Sequence, residues 1–154
     1  MESISNDSFP QPLKVRVVLC DTLGHVMLGR TTDGDCKWGL PGGAIEPSDQ
    51  DVLAAAKREV AEETGALDCT NWRVVYVDKA RGTWVCAAQI SPDAQIDPSQ
   101  DPDQEFSDIR FFKPSQVQEM RGSVWEDARK YVSVVSREIV GAEYNHSEID
   151  NTLT

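Results

Sequence analysis

Three glutamates, Glu59, Glu62 and Glu63, fall within five consecutive residues, and Arg58 stands immediately before them. Residues three and four apart are neighbours on a helix, so at roughly 100° per residue the three carboxylates share about a 100° arc. Like charges at that spacing weaken a bare helix. They also sit toward its C-terminal end, where the macrodipole disfavours anions. A hard divalent cation such as Mg2+ removes both penalties, because it takes carboxylate oxygens together with water and phosphate oxygens. The plain alternative is a solvated acidic face balanced by Lys57 and Arg58. The preceding Gly42-Gly43 favours the cation. Glycine lets the backbone approach closely and leaves carbonyl oxygens free to complete a metal's shell.

The elements that must position these groups follow from local pattern. Residues 51–64 read as a helix, with Ala54 to Ala56 as strong helix formers and Gly65 as the stop. Val52, Leu53, Ala56 and Val60 form its core-facing stripe. β-Branched runs place strands at 13–20, 25–30, 71–78 and 83–90, with a short strand at 109–112. Trp38-Gly39-Leu40-Pro41-Gly42-Gly43 reads as a shaped loop. Residues 91–108 form a long loop holding six acidic residues and no Lys or Arg, so it is either functional or flexible. Short and long helices are expected at 114–120 and 124–140. The order predicts an α/β chain, a mixed β-sheet packed between helices, over 13–140. Residues 1–12 read as a leader and 141–154 as an acidic, fraying tail.

The 154 residues carry 15 Lys and Arg against 26 Asp and Glu, a net charge of -11. That balance argues against binding a nucleic-acid polymer, which needs a broad basic surface. It equally disfavours an anionic membrane. No apolar run approaches the roughly 18 residues of a membrane span, and the N-terminal residues lack the pattern of a secretory signal. The four cysteines are scattered with no C-x-x-C pair, so free thiols and a cytoplasmic protein are expected. A phosphate-bearing substrate then requires a cation between two sets of negative charge.

The segment from Gly43 to Ala66 resembles the signature of the Nudix hydrolases (MutT-like), G-x5-E-x7-R-E-U-x-E-E-x-G-U, where U is bulky and aliphatic. Gly43, Arg58, Glu59, Val60, Glu62, Glu63 and Gly65 match. Two positions depart: Asp49 stands for the first Glu, with eight residues rather than seven separating it from Arg58, and Ala66 fills the last aliphatic position. The resemblance implies an α/β/α sandwich that hydrolyses a nucleotide's diphosphate linkage with Mg2+, or Mn2+ in its place. It implies that Glu59, Glu62 and Glu63 ligate the metal beside a backbone carbonyl of Gly42 or Gly43. Arg58 would orient the helix carboxylates. A further acid from a later loop would serve as ligand or base, and Glu105 is the first candidate, ahead of Asp103 and Asp108.

Substrate contacts lie outside the signature. Arg16, Arg30 and Arg81 could reach phosphates, and Trp38 could stack on a base. Lys79, Arg110, Tyr76, Trp84 and Trp125 are further possibilities. Solvated charge and core packing compete at each position. A small nucleotide is the expected partner, with a homodimer possible. The alternatives are a housecleaning (d)NTP pyrophosphatase, a non-catalytic nucleotide-binding module, and a calcium binder built on the 91–108 loop. The last lacks EF-hand spacing.

Overall fold

The computed structural model describes residues 13–137. The leader at 1–12 and the tail at 141–154 lie outside these residues, as do positions 138–140 of the expected last helix. β1 (Lys14–Cys20) and β2 (Val26–Thr31) open the chain, followed by β3 (Trp38–Gly39) and β4 (Gly42–Ala44). Then come α1 (Val52–Thr64), β5 (Thr70–Asp78), β6 (Thr83–Gln89), β7 (Phe106–Phe112) and α2 (Pro114–Glu119). A last helix, α3, runs from 126 to 137.

One mixed sheet runs β3-β2-β1-β6-β5, with β4 also on β1 and β7 on β2. Among the described residues, β1 and β6 are the one parallel strand pair. Alternation along β1 assigns the faces. Val15, Val17 and Leu19 pack with Val52, Ala55, Ala56 and Val60 of α1. Val18 turns the other way, toward Val117 of α2 and Ala128, Tyr131, Val132 and Val135 of α3. Two cores on opposite faces make the α/β/α sandwich. Cys20 and Cys86 are buried, and all four cysteines are free thiols.

The Gly-rich segment is not a loop. β1 and β2 meet only at Cys20 and Val26, then part, and residues 38–44 enter the gap between them. Gly39 pairs with Gly29 of β2, and Gly42 and Gly43 pair with Arg16 and Val15 of β1. The corner at Pro41 is fixed by its carbonyl, which accepts the Val17 N–H at 2.9 Å. Glycine-rich sequence carries no side-chain alternation, so pattern alone could not reveal these strands.

α1 is bounded by local signals. Asp51 caps it, accepting the Ala54 N–H at 2.8 Å, and Gly65 ends it at φ 73°. β7 begins at Phe106, three residues before the pattern placed it, because β2 supplies its hydrogen-bond partners.

Candidate active site

The three glutamates of α1 do not share one environment. Glu63 extends the buried line of Val52, Ala56 and Val60 and is only 3% exposed. Its carboxylate accepts the Gly42 N–H at 2.9 Å. Burial pushes its pKa up to about 9, although the Gly42 bond opposes this; Glu59 and Glu105 press it further up. Glu59 is largely buried too, and desolvation raises its pKa. Glu62 is 43% exposed.

Gly42 and Gly43 have separate reasons to be glycine. Gly42 sits at φ 153°, and a Cβ there would overlap the Val15 carbonyl. A Cβ on Gly43 would lie 2.7 Å from Glu59 Oε1. The missing side chain therefore leaves a cradle directly at a carboxylate oxygen.

Arg58 ties the helix to the segment before it. Its Nε and Nη2 donate to the two Asp49 oxygens, each at 2.9 Å. Nη1 donates to Glu59 at 3.1 Å and reaches Glu62 at 3.4 Å, while Nη2 also donates to the Ala44 carbonyl at 3.1 Å. The shorter Asp49 and the extra residue therefore still give a two-pronged pair. A tight turn absorbs the insertion: the Asp49 N–H donates to the Glu46 carbonyl, and the Glu46 N–H donates to Asp49 Oδ2. Hydrogen bonds from Arg58 hold Asp49 below the usual carboxylate range, and Asp49 in turn raises Arg58.

Beside Glu63 lies a cleft of about 650 Å³, within the range of small-ligand sites. Arg16, Arg81, Glu63, Glu105, Phe106 and Trp125 are among its walls. Arg16 lies 3.7 Å from Asp127 at the start of α3, and Arg81 3.9 Å from Asp78. Desolvation raises the Glu105 pKa, with Asp101 adding to it. Phe106 covers Gly29, where a Cβ would overlap its ring, and Trp125 leans over Gly39. Because Gly29 and Gly39 are cross-strand partners, the two bare backbones form a trough that seats both aromatics.

Two expected substrate contacts lie elsewhere. Trp38 packs edge-on against Phe112, ring centroids 5.2 Å apart, with the Arg110 guanidinium over its ring. Arg30 is exposed on β2 and donates to the Cys36 carbonyl. Neither lines the cleft. Strand alternation explains the exchange: Trp38 and Gly39 point to opposite faces, so Trp125, lying over Gly39, takes the place at the cleft. Phe106 and Asp127 are not among the expected site residues, since only the β2–β7 register and the docking of α3 bring them in.

The donors fit a divalent metal: hard carboxylate oxygens of Glu59, Glu62 and Glu63 beside a glycine cradle, one of them costly to keep charged while buried. Among the described residues no three acidic, His or Cys side chains are already drawn into a cage. Arg58 bridges Glu59 and Glu62, while Glu63 is held separately by the Gly42 amide.

The NUDIX domain matches residues 10–134. The chain belongs to the Nudix family. It is therefore a hydrolase acting on pyrophosphate bonds. No curated protein matches its sequence. Among solved structures, it resembles an Ap4A hydrolase from C. elegans at 14% identity and a TM-score of 0.64, covering 83% of this chain and 98% of that one. A MutT protein from Methanosarcina mazei aligns at 21% identity and TM-score 0.60, over 84% and 96% of the chains. A UDP-X diphosphatase aligns at 20% and 0.66, over 88% of this Nudix chain and 66% of the other. At these identities the likeness shows a common fold. Among the described residues no helix is long and apolar enough to cross a membrane.

Proposed function

We propose that this Nudix hydrolase is a Mg2+-dependent pyrophosphohydrolase that cleaves the diphosphate of a small nucleotide linked to another moiety. The supporting observation is the meeting of Glu63, Glu105, Arg16 and Arg81 around one cleft. Carboxylates and guanidiniums lining one cleft suit an anionic phosphate chain that brings its own cation. Glu59, Glu62, Glu63 and a carbonyl of Gly42 or Gly43 would hold the metal. Bound there, a divalent ion neutralises the diphosphate and lowers the pKa of the attacking water.

The remaining work falls to this chain's own residues. Glu105 takes a proton from the water at its carboxylate, and its raised pKa brings it closer to neutral operating pH. Arg16 and Arg81 bind phosphate oxygens, each tethered by an aspartate so that less freedom is lost on binding. Phe106 and Trp125 offer aromatic surface to a base and keep water from that end. Arg58 keeps Glu59 and Glu62 aligned. Retention of all three helix carboxylates favours this reading over a non-catalytic module.

The test is turnover with Mg2+ or Mn2+ across (d)NTPs, nucleotide-sugars and dinucleotides, with products resolved by chromatography. The expected products are a nucleoside monophosphate and a phosphorylated second moiety. Pyrophosphate release from (d)NTPs alone would instead make the chain a housecleaning pyrophosphatase. No turnover of any substrate with either metal would overturn both.

A further inference from the structure

The acidic stretch before β7 is folded rather than loose, and its centre is a buried carboxylate held by main-chain amides. Asp101 is 2% exposed. Its Oδ1 accepts the Asp103 N–H at 3.0 Å and its Oδ2 accepts the Glu105 N–H, also at 3.0 Å. Its carbonyl accepts both the backbone N–H of Gln104, at 3.1 Å, and the Gln104 side-chain amide, at 2.9 Å. Both oxygens are thus occupied by main-chain amides on either side of a sharp turn. Gln104 at the apex sits at φ 51°, a conformation that costs a non-glycine residue energy and persists only where surroundings fix it.

Two further ties anchor this turn. Thr32 of the β2 end donates its N–H to the Glu105 carbonyl at 3.2 Å and its hydroxyl to the Gln104 carbonyl at 2.7 Å. Upstream, the Asp97 N–H donates to the Thr64 carbonyl at 2.8 Å. That carbonyl belongs to the last turn of α1, where backbone acceptors lack helical partners. Gly65 makes this landing possible, since a Cβ there would sit 3.3 Å from the Asp97 backbone.

The geometry points to Asp101 as a positioning residue for Glu105. It fixes the direction of peptide 105 from one side while Thr32 fixes it from the other, so the carboxylate lines the same cleft as Glu63. The Asp97–Thr64 bond joins the same turn to the helix that carries the proposed metal ligands. The base and the ligands are thus linked through the backbone just upstream of the turn. This inference rests on the reading of Glu105 as the proton acceptor.

The experiment is steady-state kinetics of Glu105→Gln, Asp101→Ala, Asp101→Asn and the Asp101→Ala/Glu105→Gln pair, with folding checked by thermal unfolding. Misplacing a reacting group by about 1 Å costs up to about 100-fold. Asp101→Ala is expected to lower kcat about 10- to 100-fold with KM changed less than about 2-fold. Asp101→Asn, which keeps one acceptor oxygen, should fall between it and wild type; if Asp101→Ala does not fold, this variant carries the test. The decisive result is non-additivity: the pair should have the kcat of Glu105→Gln alone. A pair that multiplies both losses, or an Asp101 variant with unchanged kcat, overturns the positioning role. Full turnover in Glu105→Gln would instead remove the reading of Glu105 itself.

Discussion

Replacing Glu63 by Gln should stabilise the metal-free protein at neutral pH while destroying its activity. An unfolded Glu63 titrates near 4.5 and the folded one near 9. A group whose pKa rises on folding contributes its stability below the unfolded value, and loses it as pH climbs toward the folded one. At pH 7.5 the wild type stands about 3 pH units into that window. Each unit is worth about 1.4 kcal/mol, so the buried carboxyl costs at most about 4 kcal/mol there. A carboxamide has no charge to desolvate and keeps an oxygen for the Gly42 N–H. Its own NH2 group lacks a carboxylate's fit, which removes about half of the gain. Unfolding by urea in EDTA, followed by tryptophan fluorescence, should therefore show Glu63→Gln about 2 kcal/mol more stable at pH 7.5. The gap should close at about pH 6 and reverse toward pH 4.5, where the charge penalty is gone but the amide's poorer fit remains. Saturating Mg2+ should then invert the order, because a ligand at 100 times its Kd adds about 2.7 kcal/mol to the wild type and little to the variant. A variant less stable than wild type in EDTA at pH 7.5, or a gap that ignores pH, would refute the argument.

Asp49→Ala breaks both 2.9 Å bonds to Arg58 at a side chain 5% exposed; a loss of about 2–3 kcal/mol is expected in urea titrations, with kcat down at least about 10-fold as Glu59 and Glu62 lose their alignment. Tyr131→Phe removes the 2.8 Å hydroxyl bond to buried Asp78. Burial alone would raise the Asp78 pKa, but bonds from Tyr131 and Lys130 outweigh it and hold it low. The variant should lose about 1–3 kcal/mol at pH 7, and less as pH falls below the unfolded value of 3.8 through the lower folded one, where Asp78 takes up a proton and the support for its charge disappears; pH-dependent thermal unfolding reads this. Gly29→Ala pushes a methyl into the Phe106 ring; it should raise KM at least about 5-fold with a smaller change in kcat, alongside a destabilisation of about 1–3 kcal/mol.

What the sequence disclosed was what depends on neighbours along the chain. The limits of α1 could be read because Asp51 and Gly65 act on their own helix. The glutamate trio and its guanidinium could be read because helical spacing is fixed. Their inequality could not: Glu63 is buried while Glu62 is exposed, and this depends on where the wedge of residues 38–44 lies. The wedge itself escaped detection because glycines leave no hydrophobic rhythm. Trp38 and Trp125 look alike as aromatic residues, and only the sheet's pleat and the docking of α3 decide which one faces the cleft. Asp101 was hidden in a run of six acids, since its partners are backbone amides that any residue supplies.

The insertion of residues 38–44 between β1 and β2 also shapes how the protein comes into being. A hairpin that zipped fully would close this gap, so the chain has to stop its first hairpin after a single pair and wait. β1 must then find β6, more than 60 residues away, before the sheet is complete. Pairings that distant form late. The glycine cradle is paired along β1, the strand that must also find β6, so the site is completed only with the sheet. Refolding chains should recover turnover in the same kinetic step as their final structure, and hydrolysis becomes a report that the molecule is whole.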